Sequence, residues 1–446
     1  MEKTLLKGNT SRQLIALAVP LLLGNILQQL YNAVDSLIIG SFLGTDAFAA
    51  AGIAGSVMNL MIFILTGFCV GVSVIFAQAY GAGDEARFRR ESFVSAVVGT
   101  AVTAVICGVF LPFMRPILRL MNSPEELIPY VSDYLRIIVA GMIATFFYNL
   151  LSSLLRSVGN TRSSTVFLLI SAVMNTLLDL LFVGPLKMGI AGAAYATVAS
   201  QLFAAVCCAV YIRRRYPELV CRREDMGFSR ELLRSTLSLG MVSALHQSTL
   251  YIGKVFVQGA VNLMGSAGIA AYTAATRVEG FANSFGASGA QAESVFISQN
   301  YGAKQPERVR EGFTKGMLLH VELGLIMSVL MFAAARPGVR IFLDGGESAA
   351  IDSGAAYLRL ISFFYVLCFT GNSYVGYFRG LGKVQIPLVG TAIHLTIRAV
   401  LSFCWVGSMG VKGVALATGI GWVVCFIYQT SMFLLTRRKF LLENPE

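Results

Sequence analysis

FAQAYGAGDEARFRR (Phe76 to Arg90) returns later in the chain as ISQNYGAKQPERVRE (Ile297 to Glu311). Gln78, Tyr80, Gly81, Ala82, Arg87 and Arg89 stand 221 positions before Gln299, Tyr301, Gly302, Ala303, Arg308 and Arg310. Working outward, Tyr134-Leu135-Arg136 meets Tyr357-Leu358-Arg359, Arg156 meets Arg379 and Gly159 meets Gly382, all at an offset of 223. GIAGAAYAT (Gly189 to Thr197) then echoes GVKGVALAT (Gly410 to Thr418), again at 221. A two-residue gap between helices accounts for the change of offset, and half of 446 is 223, so the chain is two homologous halves. A duplicated membrane chain of this size points to a transporter that rocks one half against the other.

A mean hydropathy of +0.69 with 13% charged residues excludes an ordinary soluble domain. Twelve apolar stretches are long enough to span hydrocarbon, at 14–39, 48–79, 92–114, 128–152, 163–185, 190–212, 236–262, 268–298, 314–335, 353–377, 386–407 and 411–436. The second and eighth are long and Gly-interrupted, at equivalent places in the two halves. The fold class expected is an all-α polytopic membrane protein with two homologous six-helix bundles. Residues 1–212 form the first, 213–235 a linker and 236–446 the second. A short surface helix is expected near Ser229 to Ser235. The first apolar segment is too long for a cleavable signal.

The net charge of +11 invites a nucleic-acid reading until the charges are placed. The N-tail, the even-numbered connections and the C-tail hold 23 of the 35 Lys and Arg, from Lys3 to Lys439; the odd connections hold 6, and 6 lie in or at the edges of helices. That asymmetry is the positive-inside signature, so both termini are expected in the cytoplasm and no nucleic-acid partner is. Seven of the eight cysteines lie in apolar segments without a CxxC pair, which argues against disulfides or zinc. No phosphate loop, HExxH or GxSxG occurs, so the chain is expected not to be an enzyme and to need no cofactor beyond a coupling ion. Transport energy would then come from an ion gradient, a separate subunit or the substrate's own gradient.

An ionisable residue inside a bilayer is expensive and is a functional candidate by default. Most of the 24 acids lie at helix ends or in loops, and the exceptions are Asp35, Asp179, Glu279, Glu293 and Glu322. Asp35 lies five residues before Gly40 and Asp179 five before Gly184, each Gly taken as an outer helix end. Both carboxylates then sit about 7–8 Å below the outer surface, at ~1.5 Å per residue. Tyr31 and Asn32 precede Asp35 at helical spacing, and Asn175 precedes Asp179 by one turn. Tyr31, Asn32 and Gln28 are expected to line the substrate cavity. An apolar cavity with two carboxylates favours holding a proton. The same oxygens, with an amide carbonyl and a hydroxyl, suit a small hard cation. The bland alternative is that each Asp hydrogen-bonds a neighbouring helix. Glu279 follows Arg277 closely and is either a local charge pair or a cavity group. Glu293, six residues before Gln299, is expected to snorkel to the interface rather than line a cavity. Glu322 with His320 reads as a buried hydrogen-bonded element. Lys254 and Arg398 are basic counterparts in the second half, pairing with an acid or making that half's cavity electropositive. Arg136 and Arg359 recur at matched places and read as architecture.

VPLLLGNILQQLYNAVDSLIIGSFLG, AQAYGAGDEARFRR, LLRSVGNTR and NTLLDLLFVGPLKMGIAGAAYAT together resemble the MATE (multidrug and toxic compound extrusion) family over essentially the whole chain, with the DinF-like branch nearest. The resemblance implies a V-shaped bundle with a pseudo-twofold axis along the membrane normal, and export of amphiphilic organic cations in exchange for H+ or Na+. It implies an ion site at Asp35, Asn175 and Asp179, completed by Thr197. It places a helix-1 hinge at Pro20 and a cavity tyrosine at Tyr31. The NorM-like branch has acids in helices 7 and 10; here Asp352 lies only at the mouth of helix 10, which weakens any second-half ion site. The expected setting is a bacterial inner membrane, with a monomer as default. Two rivals are a lipid-linked saccharide flippase, for which Lys254 and Arg398 are few basic residues, and a passive channel or non-transporting scaffold. A major-facilitator reading does not fit the Tyr-Gly-Ala loop cores.

Overall fold

The computed structural model describes residues 4–120, 124–343 and 348–443. Lys3 and the side chains of Arg437, Arg438 and Lys439, counted above, lie outside the described residues. The first half contains α1 (Thr10–Leu43), α2 (Thr45–Ala82), α3 (Glu85–Leu120), α4 (Ile128–Ala140), α5 (Met142–Ser157), α6 (Thr161–Val183) and α7 (Gly189–Arg215). The second contains α8 (Arg230–Asn262), α9 (Gly265–Gly302), α10 (Pro306–Ala333), α11 (Ala335–Arg340), α12 (Ser348–Ser362), α13 (Tyr365–Gly380), α14 (Gln385–Met409) and α15 (Val411–Glu443). No strand occurs among the described residues.

Eight helices are long and apolar enough to cross a bilayer, and two bent pairs bring the number to ten, α4–α5 at 47° and α12–α13 at 57°. The bent pairs are equivalents in the two halves and fill the stretches expected as single spans at 128–152 and 353–377. The two remaining expected spans are α8, of 33 residues, and α9, of 38. Both have the length but are less apolar, being rich in Gly, Ala, Ser and Thr. Glycines do not interrupt α2 or α9, which run unbroken. In α2 they are notches: a Cβ at Gly67 would meet Ala244 Cα and Ser243 O at 2.7 Å, and one at Gly71 would overlap Leu239 O. One-turn spacing of small residues lets the α2 and α8 backbones touch.

The duplication is visible at the helix breaks. Gly159 and Gly382 take φ of 85° and 76°, and in each case the next residue donates back to the preceding helix, Asn160 N to Leu155 O and Lys383 N to Phe378 O, at 3.0 and 2.8 Å. Asn160 then accepts from Ser163 N at 3.1 Å and starts α6. The repeated YGA loop closes the same way, but its left-handed position is Gly83 (φ 73°) in the first copy and Lys304 (φ 55°) in the second.

Contacts divide the chain into two compact units. One comprises Met1–Ala18 with Leu245–Glu446, the other Val19–Ala244. The divisions fall inside α1, beside Pro20, and inside α8; the 213–235 connection lies wholly within the second unit. That connection carries two short 3-10 turns, and the surface helix expected at 229–235 is instead the first turns of α8. Arg89 grips the connection, donating to Asp225 Oδ2 at 2.7 Å and Glu218 O at 3.0 Å. In the other unit Arg308 grips the N-tail, donating to Leu5 O, Gly8 O and Gln13 Oε1 at 3.0–3.1 Å, and Asn300 Nδ2 adds a bond to Leu5 O at 3.2 Å.

Candidate functional site

The first half gathers its polar groups on four helices. α1 carries Tyr31 and Asp35, α6 carries Asn175 and Asp179, α7 carries Thr197 and α4 carries Tyr134. One-turn spacing puts each pair on α1 and α6 on one helix face. Asp179 is fully buried and Asn175 almost so. Asn175 Nδ2 donates to Thr197 Oγ1 at 3.4 Å, and Thr197 donates to Ala193 O at 3.1 Å. Asp35 and Asp179 are close enough for their charges to act on each other, and both act on Tyr31 and Tyr134. Yet Oδ1 of Asp35, both oxygens of Asp179 and Oδ1 of Asn175 have no hydrogen-bond partner by geometry. All four are acceptors. Acceptors facing one another in an apolar interior call for a proton or a cation among them. The donor set of two carboxylates, an amide oxygen and a hydroxyl is all hard oxygen, which fits Na+ as well as H+.

Other sequence expectations change in detail. α1 runs through Gly40 to Leu43, so Gly184 ends its helix but Gly40 does not. Pro20 sits inside α1 with its carbonyl accepting from Thr165 Oγ1 at 2.7 Å. Gln28 and Asn32 stay on the exposed side of α1. Tyr134 carries no sequence signal beyond the Tyr-Leu-Arg repeat, whose charged member is Arg136. Arg136 is exposed beside Asp133, and Arg359 lies over the Phe332 ring.

In the second half Glu293 does not snorkel. It is fully buried, accepts from Ser373 Oγ at 3.1 and 2.9 Å through its two oxygens, and stands 3.7 Å from His320 Nδ1. Glu322, expected to be buried with His320, is exposed, while His320 itself is held by Gly316 O and Gly286 O. Glu279 pairs with Tyr357, whose hydroxyl donates to it at 2.9 Å, and Arg277 lies instead over the Phe342 ring. Lys254 is exposed; Arg398 is buried and donates to Tyr272 OH at 3.1 Å. Offset arithmetic shows what these residues replace. At 223, Asn175 becomes Arg398, Asp179 becomes Ser402 and Tyr134 becomes Tyr357; at 221, Thr197 becomes Thr418.

The MatE family profile matches residues 20–181 and again 243–404, one copy in each half. The chain is 31% identical to the probable multidrug resistance protein YoeA of Bacillus subtilis, over 86% of this chain and 84% of that one. It is 27% identical to the probable multidrug resistance protein YpnP of the same organism, over 94% and 93%. A crystal structure of a MATE protein in complex with MaL6 superposes with a TM-score of 0.91 over 99% of both chains, at 23% identity.

Proposed function

Because the chain belongs to the MatE family, we propose that it is a secondary-active exporter that exchanges amphiphilic organic cations for H+ or Na+ through the carboxylates of the first half. The observation that carries this reading is the group of four unpartnered acceptor oxygens on Asp35, Asn175 and Asp179. An incoming ion satisfies these oxygens and neutralises the site, and a bound organic cation loses its electrostatic hold. Release of the ion on the other side restores the negative charge and the affinity for new substrate. Thr197 and Tyr31 complete the ion's surroundings, and Pro20, which removes a backbone donor from α1, is the place where that helix bends between states. The names of the Bacillus subtilis relatives support a multidrug range. The reading takes the protein as a monomer in the bacterial inner membrane, and the distribution of Lys and Arg supports cytoplasmic termini. One monovalent cation leaving per proton entering moves no net charge, so the proton gradient alone drives that cycle.

The test is export of the ethyl ester of rhodamine B from proteoliposomes under a proton gradient and, separately, a sodium gradient. Export driven by one gradient and lost in Asp35→Asn is the expected result and names the ion. Export that persists unchanged in Asp35→Asn and in Asp179→Asn overturns the coupling site.

A further inference from the structure

One face of α14 carries His394, Arg398 and Ser402 at one-turn spacing. Each presents a buried atom without a hydrogen-bond partner: His394 Nε2, Arg398 Nε and Ser402 Oγ. The Tyr365 hydroxyl on α13 is a fourth, with Arg398 as a charged neighbour, and Trp422 links Tyr365 to His394, its ring 5.9 Å from the first and 6.1 Å from the second. Arg398 is 9% exposed and bonds Tyr272 OH, whose ring stands edge-on to Tyr357 at 5.5 Å. Among the described residues no carboxylate stands within salt-bridge distance of Arg398. Glu279 and Lys254 act on it from further away, and one Glu279 oxygen is taken up by Tyr357. Where the first half leaves acceptors unsatisfied, this cluster leaves an N–H and hydroxyl groups unsatisfied around a guanidinium. A guanidinium matches a carboxylate with parallel N–H bonds, and a buried one without an acid partner is costly to keep.

We propose that Arg398, with Ser402 and Tyr365, forms a second-half seat for a carboxylate group of an amphiphilic substrate, so that the chain accepts zwitterions and acids as well as cations. Lys254, exposed and of the same sign, draws that group in, and Glu279 opposes it. The proposal rests on the exporter reading only for the identity of the ligand as substrate. Binding itself is separate and is measured without any gradient.

The experiment uses rhodamine B, which carries a carboxylate, and its ethyl ester, the same cation without it. Anisotropy titrations of the purified full chain in detergent give both affinities. Wild type should prefer the acid. Arg398→Gln should weaken the acid by about 10- to 100-fold, the range for a lost charged hydrogen-bonding partner, with the ester unchanged. Arg398→Lys should recover part of the loss, and Glu279→Gln should tighten the acid. If Arg398→Gln does not fold, Lys254→Gln, on an exposed side chain, should still weaken the acid by a few-fold and leave the ester alone. Equal losses for both dyes, or no change in either, overturn the proposal. Repeating the titration in nanodiscs separates two sources of the anion: competition by phosphatidylglycerol but not phosphatidylcholine assigns the seat to a lipid headgroup, and equal acid affinity in both assigns it to the substrate. Ester exported by a chain that does not discriminate acid from ester sinks this inference alone. Discrimination without gradient-driven export of either dye sinks the exporter reading alone.

Discussion

At the place where the first half sets Asn175 and Asp179 on α6, the second half sets Arg398 and Ser402 on α14. The turns leading into these helices are the same turn, made by Gly159 and Gly382 in the left-handed region. Tyr134 and Tyr357 are also the same residue seen twice, one beside the carboxylates, the other bonded to Glu279. The frame has therefore been kept while the charge it carries has been inverted. A duplicated scaffold offers two equivalent positions, and here one is built of acceptors and the other of donors, which suits them to ligands of opposite sign.

The most drastic way to break this comparison is to neutralise each site in turn. Asp35→Asn and Asp179→Asn should bring gradient-driven dye export down to the leak of protein-free liposomes. Glu279→Gln should leave the gradient dependence in place. Coupling lost in Glu279→Gln as well would mean that the second half also carries the ion.

The two gripping arginines differ in burial and should differ in weight. Arg89 meets Asp225 where both side chains are nearly buried, at 10% and 3% exposure. Arg89→Ala leaves that carboxylate only the Arg222 amide, at 3.0 Å, and should lower stability by about 1–3 kcal/mol, read as a drop in the melting temperature of the purified protein. Burial pushes the Asp225 carboxyl up, but the Arg89 hydrogen bond, the Arg222 amide and the charges of Arg89 and Arg90 outweigh it and hold it below its ordinary 3.8. The stabilisation is thus fully present above the unfolded value and fades as pH falls through the lower folded value. Acid-protease cleavage within 213–229 should rise in wild type only as pH falls below the ordinary 3.8, and should begin at a higher pH in Arg89→Ala, where the groups that lower the Asp225 carboxyl are fewer. Arg308, 18% exposed, bonded to neutral oxygens and 3.9 Å from the half-exposed Glu311 carboxylate, should cost about 1–2 kcal/mol on replacement by Ala, with the N-tail becoming the first site of proteolysis.

The smallest effect sharpens the comparison of the YGA loops. Lys304→Gly should raise stability by about 1 kcal/mol, because a β-carbon crowds the carbonyl in the left-handed region, and Gly83→Lys should lower it by a similar amount. Opposite shifts in the two melting temperatures would show that the two turns are the same turn under different strain.

The spans were legible because a bilayer demands long apolar runs, and boundaries such as 163–185 against Thr161–Val183 differ by two residues. The bends within α4–α5 and α12–α13 were not, since neither break contains a proline and both flanks are equally apolar. Asp35 and Asp179 stood out because carboxylates are rare at such depth. Tyr134 did not, since a tyrosine in an apolar run is ordinary filler. Glu293 was misjudged because sequence gives distance from a helix end but not what packs there: α10 and α13 bury it from both sides, with Gly316 making room for its carboxylate. Arg398 could be seen as a charge, but its missing partner could be seen only in three dimensions.

The two arginine grips have a genealogical consequence. The N-tail, held by the second half's loop, leads into the first helix of the first half; the 213–235 connection, held by the first half's loop, leads into the first helix of the second. A half-length ancestor making the same bonds would have lent its leading segment to a sister copy, in the manner of an exchanged-arm dimer. Fusion of two such copies would turn a bond between molecules into a bond within one chain. Neither present half, expressed alone, would then hold the segment its own loop was shaped to receive.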